Sequence, residues 1–130
     1  MKKTVSKLIY PKSTVSKWLP VFLWVVPFFY LSSIPSLHAS QLYLADFIIK
    51  KGAHIGEFVG LYALIWRATS GKFVLSLLLC LIYSSFDEFH QSFVVGRTAA
   101  LYDAYGFDLV GMLTSAYVIW KLKQLLHNKL

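Results

Sequence analysis

Most of the residues able to do chemistry in this chain fall into two short runs. Asp46, Lys50, His54 and Glu57 follow one another at spacings of four, four and three, which puts them on one face of a helix. Lys51 borders that face. Further along, the run DEFHQ places Asp87, His90 and Gln91 at i, i+3 and i+4, with Glu88 three residues before Gln91. Arg97, Asp103 and Asp108 follow. Histidines beside carboxylates are suited to general acid–base work. His90 is the candidate base, its ring oriented by Asp87 or by a partner from the first run, and His54 is the complementary acid. Glu57 and Glu88 complete the candidate catalytic set. His54, Glu57, Asp87 and His90 also form a nitrogen and oxygen donor set that a divalent metal could use. The planar fork of Arg97, helped by Lys51, suits a phosphate, and Gln91, Asp103 and Asp108 are further candidate binding groups. The competing expectation is structural. The same groups could pair between helices and simply lock a bundle, with the DEFHQ end emerging into water and Asp103 capping a helix.

These residues sit in a chain that is otherwise poor in charge. Of 130 residues only 15% are charged, while 57% belong to the set AVILMFWYC. Soluble domains usually carry about 25% charged residues. The composition excludes an ordinary soluble enzyme, a disordered chain and a nucleic-acid binder. Cys80 is the only cysteine, so no intrachain disulfide can form; its apolar neighbours predict a buried small hydrophobe.

The elements that position the polar runs must therefore be membrane helices. Trp18 to Ala45 is 28 residues without Asp, Glu, Lys or Arg, and a span needs about 20 mostly apolar residues. The first span is expected over Trp18–Leu37, with Pro20 in its first turn, Pro27 inside and Pro35 near its end. The later charge-free stretches are shorter: Phe58–Trp66, Phe73–Phe86 and Leu109–Trp120. They reach spanning length only by taking in ionisable residues, as Phe47–Trp66, Phe73–Ser92 and Tyr102–Lys121. His54, Glu57, Asp87, Glu88, His90 and Asp108 then lie at or inside the bilayer edge, where ionisable groups are costly and face a bundle interior or a cavity. Gly52, Gly56 and Gly60 predict a ridge for close helix approach, as do Asp108, Gly111 and Ser115.

Charge placement predicts the topology. Ten of the 13 basic residues flank one side of these spans and all six acids fall on the other. The positive-inside bias then puts both termini in the cytoplasm. The predicted fold is an all-α, compact four-helix transmembrane bundle. Its parts are a basic segment over residues 1–17, a membrane domain over 18–121 and a cytoplasmic tail over 122–130. A rival reading takes the first apolar run and the following SLHAS as a cleaved signal peptide. It leaves three spans with the same orientation.

Four elements together resemble the VanZ-like integral membrane proteins: KGAHIGEFVGLYAL (51–64), FDEFHQSF (86–93), GRTAALYD (96–103) and DLVG (108–111). They cover roughly residues 47 to 115. The chain departs from the family pattern at Val95, where a proline is often found. Asp108 falls about one position late, and Ser115 replaces a glycine. The resemblance implies a small prokaryotic membrane protein in a family named for a member associated with resistance to the glycopeptide antibiotic teicoplanin. Two functional expectations follow. One is an outer-face hydrolase or transferase acting on a lipid-linked or cell-envelope phosphate compound, with or without a divalent metal. The other is a non-catalytic protein that binds a lipid or glycopeptide, or serves a membrane-protein partner or a second copy of itself. An ion or solute pathway is a third, and no inverted repeat is evident to support it. No nucleic-acid partner is expected, and the expected location is the cell membrane, as a multi-pass protein.

Overall fold

The computed structural model describes residues 12–35, 42–97, 102 and 104–128. Among these are four α-helices and no strand: α1 (Thr14–Ser33), α2 (Tyr43–Ala68), α3 (Phe73–Gln91) and α4 (Leu109–Asn128), with a π-helical turn over Ala104–Asp108 leading into α4. Helix α2 is central and packs against the other three, most extensively against α4.

Helix α1 begins earlier than expected. Ser13 accepts from the Ser16 amide at 3.4 Å, a side-chain cap that starts the helix at Thr14. Pro20 is consequently an interior residue rather than a first-turn one. A proline has no N–H, so the Ser16 carbonyl four residues back loses its helical donor. Arg67, in the last turn of α2, supplies it: its guanidinium donates to Ser16 O at 3.2 Å. The helix also ends sooner than expected, at Ser33. Pro35 disfavours the helical region for Ile34, which is extended at φ −77°, ψ 132°. Leu37, the expected end, lies outside the described residues, as does the SLHAS segment from Ser36 onward.

Helix α2 exceeds the expected Phe47–Trp66 at both ends. Its 26 residues span about 39 Å at a rise of about 1.5 Å each. It closes in a paired-carbonyl cap: Ser70 N donates to Arg67 O at 3.2 Å and Gly71 N to Trp66 O at 2.8 Å, with Ser70 and Gly71 at φ 59° and 87°. Helix α3 matches expectation to within one residue. Helix α4 begins at Leu109, later than the expected Tyr102, because the π turn intervenes. It continues through Leu122 to Asn128.

Helices α1 and α3 are long and apolar enough to cross a membrane. The bundle is also apolar outside, and polar side chains share its interior with an apolar core around Phe58, Leu61, Tyr62 and Met112. The buried face of α3 is Ser76, Cys80, Ser84, Asp87, Glu88 and Gln91, whereas Leu78, Ile82, Phe86 and Phe89 are exposed. Only Val21 and Ser32 of α1 are buried, while Phe22, Leu23 and Val26 stay more than 60% exposed. Water would penalise such an arrangement; hydrocarbon favours it. Cys80 is fully buried, as its neighbours predict.

Small residues set the close approaches, though not as one ridge. Gly52 and Gly56 face open space, and only Gly60 is crowded, by the Trp24 ring of α1. Trp24 donates from Nε1 to Glu57 O at 3.1 Å, which fixes α1 across that turn of α2. The α4 face runs as expected: Asp108, Gly111 and Ser115 are all buried. A Cβ at Gly111 would lie 2.5 Å from Ile55 O and 3.1 Å from Phe58 Cβ. Since a backbone carbonyl cannot swing aside, Gly111→Ala must push α4 off α2. The expected cost is about 1–3 kcal/mol, read as a lowered thermal midpoint of the purified protein in detergent. An unchanged midpoint would contradict this packing.

Candidate functional site

The candidate residues divide between a polar lock and a cavity. The lock joins the C-terminal ends of α1 and α3. Asp87, 3% exposed, accepts from Ser32 Oγ at 2.7 Å and from Gln91 Nε2 at 2.5 Å. Gln91 Oε1 faces Arg97 at 3.5 Å. Arg97 returns the chain of bonds to α1 by donating from Nε to Ile34 O at 3.1 Å and from a terminal nitrogen to Leu31 O at 2.9 Å. A cation at the carbonyl end of a helix is also favoured by the helix dipole. Two of the donor directions of Arg97 are therefore spent on backbone carbonyls.

His90 belongs to the lock too. Its Nε2 is 2.9 Å from Ser33 Oγ, and its ring lies 4.4 Å from that of Phe29. Ser33 Oγ also lies 2.8 Å from Phe29 O, and its hydroxyl can bond the His90 ring in either tautomer. The expected orientation of His90 by Asp87 or by α2 is replaced by this contact with α1.

The second group lies deeper. Ser84 Oγ of α3 donates to Asp108 Oδ2 at 2.6 Å. Asp108 Oδ1, on the π turn, lies 3.3 Å from His54 Nδ1 of α2. These two atoms are buried and, among the described residues, form no other polar contact. One turn on, Glu57 is 8% exposed. Among the described residues no hydrogen bond or ion pair reaches its carboxylate.

His54 and Glu57 line a cavity of about 470 Å³ bounded by α1, α2 and the turn after α3. Its polar wall also includes Asp46, Lys50, Lys51, Gln91 and Arg97, and its apolar wall Phe28, Leu31, Ile34 and Phe47. Lys50 pairs with Asp46 at 2.8 Å. Lys51 sits over the rings of Phe107 and Phe47, at 5.3 Å and 5.9 Å from their centroids. Leu31 and Phe47 are 53% and 41% exposed, so the cavity opens toward the apolar exterior as well as toward its polar rim.

Of the sequence candidates, then, His54, Glu57, Lys51, Gln91 and Arg97 share the cavity. Asp87 and Asp108 stand behind it as anchors, Glu88 is buried within α3, and His90 faces α1 outside it. Asp103 lies outside the described residues. The expected donor set His54, Glu57, Asp87 and His90 does not fit one metal ion. Among the described residues no three His, Cys, Asp or Glu are arranged to hold one. Ser32, Ser33 and Ser84 were not among the candidates, although serines inside otherwise apolar runs are the signal that marks them. Breaking the lock should loosen α1 whatever the cavity does. Arg97→Lys keeps the charge but cannot reach two carbonyls at once. It should lower the thermal midpoint in detergent by about as much as Arg97→Ala, and a lysine variant as stable as the parent would contradict the bidentate role.

No curated protein and no solved structure matched the chain. A model of the VanZ/LLP1 family matches residues 3–124. That match covers nearly the whole chain, including all the residues of the lock and the cavity. The chain belongs to the VanZ/LLP1 family.

Proposed function

We propose that the cavity is the working site of a membrane enzyme that hydrolyses or transfers a phosphate ester of a lipid-linked or cell-envelope compound. The protein crosses the bilayer four times, with its basic end cytoplasmic by the positive-inside bias and the cavity at the outer face. The observation that carries the reading is the relay Ser84–Asp108–His54 ending in the cavity one turn from Glu57, whose carboxylate has no partner among the described residues. Asp108 holds Nδ1 of His54 and leaves Nε2 as the nitrogen that serves the cavity. A 3.3 Å contact is long for a hydrogen bond, but such contacts tighten when substrate binds.

His54 takes the base role that the sequence assigns to His90. A water or acceptor hydroxyl gives its proton to His54 Nε2, and its oxygen forms a new bond to phosphorus. The ester P–O bond breaks, and Glu57, entering as the acid, protonates the leaving oxygen. Lys51 and the remaining Arg97 donors bear the phosphate charge. Most of the work in phosphoryl transfer is positioning and charge stabilisation of this kind. The lateral opening at Leu31 and Phe47 suits a substrate that arrives from the lipid phase with its headgroup entering first.

Three variants test the assignment on purified protein given lipid-phosphate substrates. His54→Ala and Glu57→Gln should each lower turnover by about 100-fold or more while leaving the thermal midpoint close to that of the parent. His90→Ala should lose stability and keep turnover per folded molecule. Turnover abolished by His90→Ala but retained by His54→Ala would overturn the assignment. Turnover by none of the proteins, with lipid phosphate still bound, would favour a binding protein.

A further inference from the structure

At the opposite, basic end of the bundle lies a second recess, of about 180 Å³, between the end of α2, the start of α3 and the side of α4. Three independent features of its lining point to an anion. The first is Tyr62, which lines the recess, is fully buried, and has a hydroxyl with no hydrogen-bond partner among the described residues. A buried hydroxyl without a partner is unfavourable, so a ligand that accepts its proton is favoured. The second is the N-terminus of α3. Gly71 and Phe73 line the recess, and the N-cap residue Lys72 makes no side-chain capping bond. The first-turn amides thus keep their donors and the positive end of the helix dipole. No acidic residue occupies that turn. The third is Lys123, whose Nζ sits 4.4 Å over the Trp66 ring at the rim.

The walls indicate where the anion comes from. Trp66, Phe73 and Trp120 surround the recess, and Phe73 and Trp120 are 49% and 53% exposed. Aromatic side chains of this kind settle at the headgroup level of a bilayer. We propose that this recess binds the headgroup phosphate of one anionic phospholipid from the leaflet at the basic end. The Tyr62 hydroxyl, the α3 amides and Lys123 hold the phosphate, and the acyl chains leave along the exposed rings of Phe73 and Trp120. The neighbouring Arg67 and Lys72 strengthen the preference for a net negative headgroup. The site shares no lining residue with the cavity at the other end and stands whether or not that cavity is catalytic.

The test is lipid titration of the full chain in detergent micelles, read by tryptophan fluorescence. Phosphatidylglycerol with brominated acyl chains, seated beside Trp66 and Trp120, quenches their emission. Tyr62→Phe removes only the orphaned hydroxyl, so it should fold at least as stably as the parent. It and Lys123→Gln should each raise the half-quenching concentration about five- to tenfold, as expected for the loss of one hydrogen bond or charge contact to phosphate. Lys121→Gln, on the same helix but outside the recess, should leave it unchanged. Brominated phosphatidylcholine quenching at the same concentration would overturn the proposal, and so would a Tyr62→Phe variant that binds like the parent. Displacement of the lipid by millimolar inorganic phosphate would assign the recess to a soluble anion and overturn the lipid assignment.

Discussion

The buried carboxylate of Asp87 is the constraint on which the rest of the architecture depends. A carboxyl group inside an apolar bundle is tolerated only when its oxygens are satisfied. Here satisfaction comes from both helices that meet at that end. Ser32 of α1 and Gln91 of α3 donate to it, and Arg97 closes the circuit from Gln91 back to the last carbonyls of α1. A helix with few buried side chains, such as α1, has little else to hold it at that end. Its other anchors lie further down, where Trp24 reaches Glu57 O and Arg67 reaches the carbonyl released by Pro20. Leu31, Ser32 and Ile34 are both the end of α1 and one wall of the cavity. The lock therefore sets the shape of the cavity without its carboxylate lining it.

The two polar systems divide the work. In the lock, Ser32, Arg97 and the His90–Ser33 contact tie the end of α3 and the turn after it to α1. In the cavity, among the described residues, His54 is held on one side only and no side chain ties the Glu57 carboxylate. Groups held rigidly from behind and open in front are what a positioned acid–base pair requires. Groups saturated on all sides give a helix contact its geometry and little else.

Much of this was legible in the residues. The helical spacing of Asp46, Lys50, His54 and Glu57 put them on one face, and Asp46, Lys50, His54 and Glu57 do line one cavity. The spacing of Asp87 and Gln91 anticipated a shared face, and they are bonded to each other. What spacing could not show is which neighbour each face meets. His90 is three residues from Asp87, yet the rotation between them is enough to turn it onto Ser33 and Phe29. The glycines at 52, 56 and 60 share a spacing, but only Gly60 meets another helix. Which glycines are covered depends on where α1 crosses α2. Spacing did not show the π-helical turn over Ala104–Asp108 either. It places Asp108 to face His54 and Ser84.

In the proposed reaction His54, and not His90, is the histidine that meets the substrate. Nitrogen-15 NMR of the histidine rings in micelles tests it directly, with a short-chain phosphatidate added as the probe. The His54 ring resonances should move on titration while those of His90, held against Ser33 and Phe29, stay fixed. Movement of His90 with His54 unchanged would contradict it.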